Sequence, residues 1–102
     1  MFRKYKSVNL TYDEQGLIYF ILRKFDSLPL RLQKRIERML KDIAGRDYEA
    51  VRDFLVCGMD IKCVMDKHHW RYSQKLYDCR REFFERFYDE VIKKMPSEEG
   101  ID

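Results

Sequence analysis

The chain has 102 residues, 45% apolar and 38% charged, with a formal net charge of +3. That length makes one domain around a small core, and so balanced a charge makes its distribution, not its sum, the guide to partners. The longest apolar run, Leu17 to Leu22, is six residues, too short for a bilayer span.

With only four Gly and two Pro, the chain has little loop material and reads as all-α. Residues 1–10 read as a basic, loosely held arm with Arg3, Lys4 and Lys6. No long apolar stretch follows those charges, so the arm is not read as a secretory leader. Thr11 with Glu14 forms a capping box. It predicts a helix from about Tyr12 to Asp26, with Leu17, Ile18, Ile21, Leu22 and Phe25 on one face. Tyr19 and Phe20 fill in the run, leaving a strand as the alternative over Leu17 to Leu22.

A second helix is predicted from Pro29 to Ala44. Leu32, Ile36, Met39, Leu40 and Ile43 form its inner stripe, and Arg31, Lys34, Arg35, Arg38 and Lys41 line the other side. Gly45 is its stop. Asp47 reads as the N-cap of a third helix, Tyr48 to Cys57, with Val51, Phe54 and Leu55 inward and Gly58 at its end. Asp60 caps a fourth, Ile61 to about Lys67, and the chain breaks at His68-His69-Trp70-Arg71. The last helix is predicted from about Tyr72 to Met95, with Tyr72, Leu76, Cys79, Phe83, Phe87, Val91 and Met95 in one stripe. Pro96 stops it, and residues 96–102 form an acidic tail. The expectation is a small all-α bundle of about five helices over residues 11–95.

Positive charge is local. Arg23 to Arg46 holds eight basic and three acidic residues; Lys67 to Arg81 holds five basic and one acidic. Such clusters suit a limited phosphate contact surface, or simply solvated helix faces. The order of elements over residues 48–87 is that of a helix-turn-helix. A supporting helix, a Gly stop, a short apolar helix and a turn lead into a basic, aromatic helix. Arg71, Ser73, Gln74, Lys75 and Tyr77 stand where a reading helix meets the groove. Gln pairs with adenine, Arg or Lys with guanine, and Ser and Tyr more often hold phosphates. Lys67, Arg80 and Arg81 are assigned to phosphates.

Val51, Phe54, Leu55, Gly58, Met59, Ile61, Val64, Trp70 and Leu76 give this segment a pattern that resembles region 4 of bacterial sigma factors. It is similar also to the region-4-like late-transcription activators of phages. The resemblance implies sequence-specific binding to double-stranded promoter or operator DNA. It implies a transcription regulator of a phage or mobile element that can also touch RNA polymerase. The chain departs from the pattern at Met65 and at His68-His69, where small residues are usual, and between Trp70 and Leu76, where one extra residue stands.

Other chemistries find less support. Cys57, Cys63, His68, His69 and Cys79 do not follow a common zinc-ligand spacing. The histidines have no nucleophile or paired carboxylates in a patterned site, so neither an enzyme nor a cofactor is expected. Three cysteines without a secretory signal point to reduced thiols and a cytoplasmic protein. Phe83, Phe84, Phe87 and Tyr88 cannot share a narrow stripe, because adjacent residues point about 100° apart. The N-terminal helices or a second subunit must cover so wide a face; a homodimer would pair two half-sites. The rival to DNA binding is a helical adaptor that uses this aromatic face against a protein partner.

Overall fold

Thr11 opens the first helix as its capping box predicts. Its hydroxyl accepts the Glu14 N–H at 3.2 Å, and the Glu14 carboxylate accepts the Thr11 N–H at 2.9 Å. In the computed structural model, which describes residues 2–94, five α-helices follow one another. They are α1 (Tyr12–Arg23), α2 (Leu30–Ala44), α3 (Tyr48–Leu55), α4 (Ile61–His68) and α5 (Gln74–Phe87). Single 3-10 turns at Phe25–Ser27 and Gly45–Asp47 join the first three. Leu17 to Leu22 lies within α1, which settles the strand alternative for that run.

The core is one cluster running through all five helices, and Ile18, Ile36, Leu40, Val51, Val64, Leu76, Phe83 and Phe87 are fully enclosed in it. α1 turns Ile18 and Leu22 inward, but Leu17 is 46% exposed and Phe20 53% exposed, contrary to the predicted inward Leu17. Gln15 takes the inward position instead, on the face it shares with Ile18 and Leu22. α2 buries Ile36, Met39, Leu40 and Ala44 and turns its basic residues to solvent, as its pattern requires. Gly45, at φ 59°, ends it.

Residues 2–10 are not a loose arm. Phe2 and Val8 are buried, and Tyr5 packs edge-on against Phe84 with ring centroids 5.5 Å apart. The buried Gln15 side chain holds the segment. Its Oε1 accepts the Tyr5 N–H at 2.8 Å, and its Nε2 donates to the carbonyls of Tyr5, Val8 and Leu10 at 3.2, 3.2 and 3.0 Å. One amide thus satisfies backbone groups that docking removes from water. The segment covers Phe84, while Phe83 and Phe87 stack on each other in the core. The wide aromatic face of α5 is therefore covered within the chain.

The last helix also differs from its prediction. α5 begins at Gln74 rather than Tyr72. It passes after Phe87 into a wide π turn, Tyr88–Ile92, where the Lys93 N–H reaches back to the Tyr88 carbonyl. Steps of four residues drift round an α-helix by about 40° each. A wider turn takes up that drift and keeps Val91 on the core side. Met95, the Pro96 stop and the acidic tail 96–102 lie outside the described residues. No helix among the described residues is long and apolar enough to cross a membrane.

Candidate nucleic-acid interface

α3 packs against both α4 and α5 and so supports the pair. Its end is closed by Gly58 at φ 69°, with the Met59 N–H returning to the Asp53 carbonyl at 3.0 Å. This left-handed stop turns the chain sharply into α4. Asp60 caps α4 as predicted, accepting the Lys62 N–H at 3.0 Å. Asp47, predicted to cap α3, makes no cap bond; its carboxylate pairs instead with Lys75 of α5. That exchange ties the start of α3 to the start of α5.

The turn between α4 and α5 is left-handed at His69 (φ 60°, ψ 43°), the one non-glycine residue of positive φ among the described residues. Here the region-4 pattern carries a small residue or glycine, and the backbone adopts the conformation glycine favours. The Trp70 N–H closes the turn on the Met65 carbonyl at 2.8 Å. Trp70 to Ser73 form a bend before Gln74, so Arg71 and Ser73 precede the helix rather than lie on it. Asp53 on α3 fastens the end of α4, accepting from Lys67 at 2.9 Å and meeting His68 Nε2 at 2.8 Å. Burial raises the Asp53 pKa, but the hydrogen bonds from His68 and Lys67 outweigh it and hold the carboxyl below its ordinary value.

The eight sequence-predicted residues divide into three groups. Arg71 and Gln74 are exposed, and Arg71 makes no ion pair among the described residues. Gln74 donates to Asp78 at 2.9 Å, and Ser73 stands half-buried at the cap position without a cap bond. Lys67, Lys75 and Arg81 are exposed but paired with Asp53, Asp47 and Asp78. Such surface pairs are weak enough to exchange for phosphate. Tyr77 and Arg80 turn away from the surface. Tyr77 packs against Phe54, and the Arg80 guanidinium lies 3.5 Å from the Tyr5 ring centroid, 5.0 Å from Tyr77 and 5.5 Å from Phe54.

The assignment of Arg80 to a phosphate is therefore corrected. Arg80 falls four residues after Leu76 and four before Phe84, on the buried side of α5, and that spacing was the signal in the sequence. The Tyr5 ring faces its charge, and the side chain is half-buried. Beyond the first turn, α5 presents Asp78, Glu82 and Glu85 among its outward residues. These carboxylates alternate with Arg81 and Arg86, so the charge of α5 is mixed beyond its first turn.

A second positive surface stands on α2. Arg31, Lys34, Arg35, Arg38 and Lys41 are all exposed on one side of it. Arg31, Lys34, Arg35 and Arg38 line a groove of about 550 Å³ together with Met39, Asp42, Arg86 and Glu90. Arg86 is committed to Glu90 at 2.7 Å and Asp42 at 3.3 Å, whereas Arg31, Lys34 and Arg38 have no carboxylate partner among the described residues. No cluster of three or more His, Cys, Asp or Glu side chains among the described residues is arranged to hold a metal ion. Cys57 and Cys63 are exposed and Cys79 is buried in the core. No protein-family model, curated protein or solved structure matches the chain.

Proposed function

We propose that the chain binds double-stranded DNA sequence-specifically, as a transcription regulator of a phage or mobile element in the manner of sigma region 4. The observation that carries this reading is the tight left-handed turn at His69, which joins two helices on a common support and leaves Arg71, Gln74 and Lys75 exposed at the start of α5. Base reading then falls to Arg71 and Gln74, with Lys75, Lys67 and Arg81 on phosphates. The N-terminal end of α5 adds the favourable pole of its dipole. The unpaired basic face of α2 is a further phosphate surface. A protein partner, RNA polymerase or another, is the second reading, favoured by Leu17 and Phe20 standing outward on α1.

The test is fluorescence anisotropy with duplexes selected from a random pool. Arg71→Ala/Gln74→Ala/Lys75→Ala should lower affinity for the selected duplex by about tenfold or more, since a bidentate base contact is worth about 1–3 kcal/mol. Its circular dichroism should match that of the wild type. The three phosphate contacts would give a salt slope of about −2.7, at about −0.9 each, and any contact from α2 would steepen it. A wild-type protein that binds no duplex at about 50 mM salt would sink the proposal.

A further inference from the structure

Between the docked N-terminal segment and the α3–α5 unit lies a cleft of about 210 Å³. Two guanidinium groups line it, and neither has a carboxylate partner among the described residues. Arg80 enters from α5, and its Nε is buried without a hydrogen-bond partner. Arg23 enters from α1, lies 4.3 Å over the Tyr19 ring and donates to the Leu55 carbonyl at 3.1 Å. Gly58 makes room for it: a Cβ there would stand 2.9 Å from the Arg23 Cζ. Asp60 is also on the lining, one of its oxygens capping α4, so the cleft sets two guanidinium groups against one carboxylate. The remaining wall combines apolar side chains such as Leu22, Met59 and Ile61 with the rings of Tyr5, Tyr19 and Tyr77.

A partly buried cation without a counter-charge is costly unless something compensates it. Cation–π contact with Tyr5 compensates Arg80 in part, but leaves its Nε open. Burial also pushes the Arg80 pKa below its ordinary value. Size selects the guest. An apolar cavity of about 150 Å³ accepts a benzene ring, and drug-sized ligands occupy about 300 Å³ or more. The cleft suits one ring with one acidic group and is too small for a nucleotide.

We propose that this cleft binds a small aromatic carboxylate, with the carboxylate held between Arg80 and Arg23 and the ring against Leu22, Met59 and Ile61. Planar guanidinium groups match a carboxylate's two oxygens. The site touches the start of α4 and the buried side of α5, and it does not depend on whether the chain binds DNA.

Benzoate is the probe, with benzyl alcohol and inorganic phosphate as controls, by calorimetric titration and thermal melting of the full chain. At about ten times its dissociation constant, benzoate should raise the melting temperature by several degrees. Neither control should do so at the same concentration. Arg23→Gln, at the more exposed of the two arginines, should weaken benzoate binding about tenfold, with the melting shift read against its own unliganded melt. Arg80→Lys, which keeps the charge and loses the planar fork, should weaken it similarly. No response to benzoate at about 10 mM would overturn the proposal. So would an equal response to phosphate, or benzoate binding unchanged in both variants.

Discussion

Replacing Gln15 with Leu keeps the side chain's bulk and removes all four of its hydrogen bonds to the N-terminal segment. If the segment stayed docked, the Tyr5 and Val8 carbonyls would keep the Val8 and Leu10 N–H groups, but the Tyr5 N–H and the Leu10 carbonyl would lose their partner, at about 1–3 kcal/mol for each group left buried. Undocking is the less costly response. It exposes Phe2 and Val8, at about 1.5–3 kcal/mol per side chain, and regains backbone freedom as a partial offset. The loss is thereby capped, and we expect about 2–4 kcal/mol. Urea unfolding followed by far-ultraviolet circular dichroism should give a lower midpoint. The slope should also shrink, because the native state would bury less surface. Hydrogen exchange should show the Tyr5 amide losing its protection while amides in α2 and α5 keep most of theirs. A midpoint shift worth less than about 0.5 kcal/mol, with the Tyr5 amide still protected, would refute the role given to Gln15.

His69→Gly should stabilise the chain by about 0.5–1 kcal/mol, because an L side chain at positive φ costs about 1–2 kcal/mol and the freer unfolded glycine returns part of that. A melting temperature below wild type would count against a strained turn. The Asp53 carboxyl is held below its ordinary value, so its contribution is present above the unfolded pKa of about 3.9 and is lost as pH falls through the lower folded value. Asp53→Asn should accordingly be less stable than wild type at pH 7. The gap should narrow as an acid titration passes below about pH 4, and a constant gap would exclude the linkage.

The helices were legible where the chain carries both a cap and a stripe. Thr11 with Glu14, Asp60, Gly45 and Gly58 each act as their residue types predict. The ends of α5 were less legible. Its start is set by a bend at Arg71–Ser73 that no single residue type announces, and its end by a π turn that serves the tertiary placement of Val91. The N-terminal segment was misread because its charges at Arg3, Lys4 and Lys6 mask apolar residues at Phe2, Tyr5 and Val8, three apart and all turned inward. Gln15 resembles a solvated helix residue until the segment it serves is placed on it. Of the candidate interface, Arg71, Gln74 and Lys75 were readable from position alone. The inward side of Arg80 was readable from its spacing to Leu76 and Phe84, but its partner Tyr5, 75 positions away in the chain, was not.

The docked N-terminal segment has a consequence in time. Its partners Arg80, Phe84 and Glu85 are made long after it; the Asn9 N–H meets the Glu85 carboxylate across 76 positions. At about 5–20 residues per second, the segment waits on the order of 4–15 s before those partners exist. Closing a loop of that length carries an entropy cost of about 4 kcal/mol. Until then Tyr5 has no Phe84 ring to cover, while Phe2 already has the Tyr12 and Tyr19 rings of α1. Docking the segment onto α5 is thus a late event, and a chain stalled before Arg80 presents the α5-facing side of Tyr5 to chaperones, proteases or other nascent chains.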